Sequence, residues 1–70
     1  MKVIYDRETD TLSLILGEGP VVESDELSEC LIIDYGRDRR IVSIELLDAS
    51  EYVAEPASIA FEMKEPAAAR

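Results

Sequence analysis

The residues of this chain that could do chemistry fall into a few short groups. Asp6, Glu8 and Asp10 lie within five positions and offer oxygen ligands for a divalent cation, or a paired acid and base. A calcium loop of the EF-hand type needs about twelve residues, with a central glycine and a closing bidentate glutamate. Neither is present, so these carboxylates read as turn formers that fold back onto nearby N–H groups, and a carboxylate-dependent metal site is the lesser alternative. Glu45 interrupts an apolar run, and burial there would demand a partner or a raised pKa. Its parity sets it with Ser43, opposite Val42, Ile44 and Leu46, which favours a solvated or subunit-interface position. Asp48 reads as a helix cap.

Arg37, Arg39 and Arg40 are three of only seven cations. A nucleic-acid footprint adds aromatic stackers or a recognition helix to such a cluster, and only Tyr35 stands close. The arginines therefore read as a charged turn paired with the acidic third strand. Cys30 is flanked by Glu29 and Leu31, and anionic surroundings raise a thiol pKa, so it reads as a packed cysteine. Gly17-Glu18-Gly19 is followed by neither Lys-Ser nor Lys-Thr and by no helix, which makes it a turn and not a phosphate loop.

Composition excludes more than these groups suggest. The 70 residues contain no histidine, so a histidine base, a Ser-His or Cys-His unit and an imidazole metal ligand are all impossible. A single cysteine excludes an intrachain disulfide and multi-thiolate zinc. Sixteen acidic residues against seven basic ones give a net charge of −9, which repels phosphates and anionic lipid, yet 47% of the chain is hydrophobic, as in a folded domain. Apolar runs such as Cys30 to Ile33 fall far short of the roughly 20 residues of a membrane span. The expectation is a non-enzymatic protein of the reducing cytoplasm with no catalytic residues, cofactor, metal, nucleic acid or membrane partner.

The elements that must position these residues are mostly strands. Lys2 to Asp6 reads as strand one, with Val3 and Tyr5 on one side and Ile4 on the other, and the polar stretch Asp6 to Asp10 as a hairpin loop. Thr11 to Leu16 alternates as strand two, with Leu12, Leu14 and Leu16 inward. Gly17 to Pro20 stops pairing and reads as a second hairpin. Val21 to Leu27 carries charges typical of an edge or a solvated face. Cys30 to Tyr35, apolar on both parities, reads as a central strand four. After a turn at Gly36 to Arg40, Ile41 to Leu47 is strand five, with Val42, Ile44 and Leu46 toward the core; truncating a buried Ile44 to Ala costs about 2–5 kcal/mol. Asp48 as N-cap, Glu51 as capping-box partner and a Leu47–Tyr52 staple predict a short helix from Asp48 to Ala54, stopped before Pro56. Over Ser58 to Lys64, Ile59, Phe61 and Met63 alternate as in a final strand, whereas the surrounding alanines suit a helix; the residues leave both open, with the strand favoured.

The fold class expected is thus α+β: a small antiparallel meander of about five strands, one short C-terminal helix and a possible final strand. One domain covers residues 1–64, and 65–70 form a frayed tail. Strands apolar on both parities need cover on two faces, and one helix cannot supply it, so a homo-oligomer, with a dimer favoured, is expected. The acidic surface of Glu23, Asp25, Glu26 and Glu29 is the candidate surface for a basic protein partner.

Three segments carry a resemblance: Val3-Ile4-Tyr5-Asp6-Arg7-Glu8-Thr9-Asp10-Thr11-Leu12, Gly19-Pro20-Val21-Val22-Glu23-Ser24, and Arg40-Ile41-Val42-Ser43-Ile44-Glu45-Leu46-Leu47-Asp48-Ala49-Ser50. Over about residues 1 to 54 the chain resembles the bacterial and archaeal domain-of-unknown-function family 2283. Leu46 replaces a second Ile of the family pattern, Ser13 stands where an aromatic is frequent, and the Asp34 to Arg40 turn is less acidic than usual. The resemblance implies a small antiparallel sheet with a helix near the C-terminus and no established activity. Because some members are encoded beside small basic ribonuclease-type toxin-like proteins, it also implies an antitoxin-like role as an alternative.

Overall fold

The computed structural model describes residues 1–67 and is nearly all β. Five strands, β1 (Lys2–Asp6), β2 (Thr11–Ile15), β3 (Glu23–Glu26), β4 (Leu31–Tyr35) and β5 (Ile41–Leu46), form one antiparallel sheet in the order β1-β2-β5-β4-β3. All five lie within the segments that the sequence marks as strands. The β1–β2 loop closes as an Asx turn in which the Glu8 N–H donates to Asp6 Oδ1 at 2.9 Å, and Asp10 takes a left-handed φ of 54° before β2 begins.

The sheet is not a meander, and β4 is not its centre. β5 occupies the middle, paired to β2 through Leu14↔Ile44 and to β4 through Ile33↔Ile44. The expected second hairpin at Gly17 to Pro20 is instead a crossover that carries the chain from β2 to the far edge. Leu16 and Gly17 still donate their N–H groups to Val42 O, at 2.8 and 3.1 Å, so β2 follows β5 to its end before Gly19, at φ 103°, turns the chain away. The reason lies in β3: all four of its residues, Glu-Ser-Asp-Glu, are exposed. A strand with three carboxylates fits an edge and not the interior place between β2 and β4.

The α+β expectation is overturned. In place of a helix from Asp48 to Ala54 there is one 3-10 turn, Ala49–Glu51. An N-cap residue has extended backbone and a side chain that accepts from the first turn. Asp48 sits instead at φ 52°, ψ 45° and makes no side-chain cap. The first-turn donors are taken by a residue 40 positions away: Ala49 N–H bonds Asp10 O at 2.8 Å, and Ser50 N–H bonds Asp10 Oδ1 at 3.1 Å. With the turn tied to the β1–β2 loop and Pro56 close behind, too few residues remain to propagate a helix past its costly nucleus. Ser58 to Lys64 is no strand of this sheet either; the Ser58 N–H bonds Glu55 O, and no main-chain hydrogen bond joins residues 59–67 to any strand. The expected tail at 65–70 falls partly outside the described residues. No helix among the described residues is long and apolar enough to cross a membrane.

Ile33, Val42 and Ala49 are the buried apolar residues, and among the described residues no large side chain is fully buried. Stable domains pack at least two layers of secondary structure around a core. This chain has one sheet, and its thin dimension is 19 Å.

Candidate functional site

Because side chains alternate across a strand and directly opposed residues share a face, the registers divide the sheet cleanly. One face carries Val3 and Tyr5 from β1, Leu12 and Leu14 from β2, Ile44 and Leu46 from β5, and Leu31 and Ile33 from β4. At its β1–β2 end Val53, Pro56 and Ile59 stand over Val3, Tyr5 and Leu12 around a cleft of about 250 Å³, and at the other end Val42, on the same side of β5 as Ile44, is buried near Gly36. With Val42 counted, two of these leucine-face residues, Ile33 and Val42, are buried, and the other seven remain half-buried.

The opposite face carries Ser13 and Ile15, Ser43 and Glu45, Ile32 and Asp34, and Ser24. Asp34 is only 7% exposed, with Ser24 Oγ donating to its Oδ1 and Ser43 Oγ to its Oδ2, both at 2.6 Å. These hydroxyls hold the Asp34 carboxyl below its ordinary range in spite of burial. Glu45, one ladder step away, is pushed up, first by sharing a proton with Asp34, then by burial and by the Asp34 charge. The sequence reading placed Glu45 on the correct face but missed Asp34. The signal was present: a lone carboxylate inside the run Leu31 to Tyr35.

The two shifts act oppositely on stability. Asp34, lowered on folding, stabilises the fold above its ordinary pKa, and this is lost as pH falls through the folded value. Glu45, raised on folding, favours the fold at low pH, and this is lost as pH rises toward its folded value. Glu45→Gln keeps a donor facing Asp34 and cannot ionise. It is expected to be more stable than the parent near neutral pH, with the difference closing in acid; denaturant titrations across pH check this.

A second polar cluster anchors the C-terminal turn. Tyr5 Oη donates to Asp10 Oδ1 and Ser50 Oγ to Asp10 Oδ2, both at 2.6 Å. The Ser50 hydroxyl first, then that of Tyr5, keeps the Asp10 carboxyl low, and the same bond to Asp10 raises the Tyr5 phenol. Asp6, Glu8 and Asp10 thus do not converge: Asp6 closes a turn, Asp10 is engaged by Tyr5 and Ser50, and Glu8 is exposed. Among the described residues no group of three Cys, Asp or Glu is placed to hold a metal.

Glu23, Asp25, Glu26 and Glu29 are all exposed. Glu23 and Asp25 oppose Tyr35 and Ile33 on the leucine face, Glu26 opposes Ile32 on the other, and Glu29 lies in the turn beyond. They line one edge and do not share a face. Arg39 meets Glu23 at 3.2 Å and lies 5.2 Å from the Tyr35 ring centroid, so the arginine turn does pair with β3. Arg40 pairs locally with Asp38. Cys30 is half-buried, and its thiol raises the Tyr52 phenol beside it.

No curated protein and no solved structure matches the chain. The family model described as "Protein of unknown function (DUF2283)" matches residues 2–50, a span that holds all five strands, both serines on Asp34, and the Tyr5, Asp10 and Ser50 of the anchoring cluster. With that span covering most of its length, the chain belongs to this family of unknown function.

Proposed function

We propose that this chain is a non-enzymatic assembly domain of the cytoplasm that works as a homodimer, each copy supplying the packing layer the other lacks. The observation that supports this reading is the leucine face, on which Val3, Tyr5, Leu12, Leu14, Leu31, Ile44 and Leu46 stay half-buried although Ile33 and Val42 are buried. Its extent fits the need. The chain exposes 5874 Å², whereas a compact fold of this mass exposes roughly 4,400 Å². The excess exceeds the roughly 800 Å² that each partner contributes to a standard interface. The radius of gyration is 14.8 Å, against about 11 Å for a compact chain of this length. A two-fold pair uses one patch on both copies, so a single apolar face suffices. The absence of histidine and the single, half-buried cysteine agree with a role in binding and not in catalysis. The experiment that tests it is the solution mass of the full chain over a dilution series: a dimer at micromolar concentration is expected, and a stable folded monomer there contradicts it.

A further inference from the structure

Residues 58–64 have the period of a strand and no sheet to join. Ile59, Phe61 and Met63 are 70%, 84% and 70% exposed, and their backbone makes no hydrogen bond to any strand. Three apolar side chains at every second position, held in water, are unfavourable unless something covers them. The sheet meanwhile offers two open edges, β1 and β3, each with a row of unpaired N–H and C=O groups.

Charge chooses between the edges. β3 presents Glu23, Asp25 and Glu26 and no cation, so it offers Glu62 of an arm over residues 58–64 only repulsion. β1 carries Lys2 at one end and Asp6 at the other, and its Lys2 end offers Glu62 the counter-charge that β3 lacks. Within one chain the arm makes no main-chain hydrogen bond to β1, and Ile59, 70% exposed, only lines a cleft with Val3 and Tyr5.

We propose that residues 58–64 add as an edge strand to β1 of a second copy, each copy giving one arm and receiving one. This rests on the self-association proposed above and names the segments that lock it. The register follows from matching both faces. With the arm antiparallel and Lys2 opposite Glu62, Val3 meets Phe61 and Tyr5 meets Ile59 along the leucine face. On the other face Ile4, 43% exposed in the single chain, gains Ala60. A slip of two residues keeps the faces but sets Lys64 against Lys2, so the charges oppose it. Pro56, ahead of the arm, is the point from which it crosses to the partner.

The test is a cross-link in the full-length chain with Cys30→Ser as background. Val3→Cys and Phe61→Cys together are expected to oxidise to a covalent dimer, whereas Val3→Cys with Glu62→Cys, whose side chains point to opposite faces, is not. Glu62→Lys is expected to weaken the dimer several-fold, and adding Lys2→Glu to restore it. If the unsubstituted chain is dimeric but the Val3–Phe61 pair fails to link, or links within one chain, the arm exchange is wrong and the assembly reading stands. If the unsubstituted chain is a folded monomer, the assembly reading itself fails.

Discussion

Ile44→Ala is expected to cost about 2–5 kcal/mol, the full penalty of a core truncation. Ile44 is the hub of the sheet, opposite Leu14 on β2 and Ile33 on β4. In the single chain its side chain is half-buried, and the transfer and cavity terms would then be about half as large, roughly 1–2 kcal/mol. The magnitude therefore reports whether a second layer lies over the leucine face. Loss of the isoleucine also weakens association, so the variant's unfolding midpoint should lie below the parent's at every concentration and, like the parent's, rise with protein concentration. Chemical denaturation at two concentrations a hundredfold apart measures both. A penalty near 1 kcal/mol with no concentration dependence is the result of a face that stays in water.

Asp34→Ala is the other large expected effect, at about 2–4 kcal/mol. The substitution removes two short bonds to an ionised acceptor that is itself only 7% exposed and leaves the half-buried Ser43 hydroxyl without its partner, while the exposed Ser24 turns to water. Asp34→Asn retains one carbonyl acceptor and is expected to lose about half as much. Both changes also free Glu45 from the carboxylate that raises it, so the Glu45 pKa, followed by carboxyl NMR, should fall toward its ordinary value. Denaturation of Asp34→Ala within 1 kcal/mol of the parent would mean that the serine–carboxylate cluster is solvated and adds little.

The strands were legible because each is a local pattern. Lys2 to Asp6, Thr11 to Ile15 and Ile41 to Leu46 alternate over five or six residues, and turn formers bound them. Strand order was not legible, since it depends on which strands tolerate water on one side. The carboxylates of β3 signalled an edge, but nothing local indicated that β5 would pair with β2 across the β3–β4 hairpin. The helix expectation failed for a related reason. Asp48, Glu51 and Tyr52 satisfy a local capping pattern, yet the donors of that turn are taken by Asp10, 40 residues earlier, and Asp48 is left in a left-handed conformation.

The same contrast holds for the candidate site. Glu23, Asp25, Glu26 and Glu29 were recognisable as an exposed acidic stretch, but alternation sends them to different sides of the edge. The Asp34 cluster joins residues 24, 34 and 43 from three strands, and its geometry appears only once β3, β4 and β5 are adjacent. Ile59, Phe61 and Met63 alternate as in a strand, yet residues 58–64 form none, because no edge of the sheet pairs with them.

The central claim is that one copy of this chain is half of a packed structure. Sedimentation equilibrium of the unsubstituted full-length chain at micromolar concentration tests it most directly. Twice the chain mass is expected, with dissociation on dilution accompanied by loss of sheet structure. A single-chain mass with the sheet intact and a sharp, concentration-independent unfolding transition would contradict it.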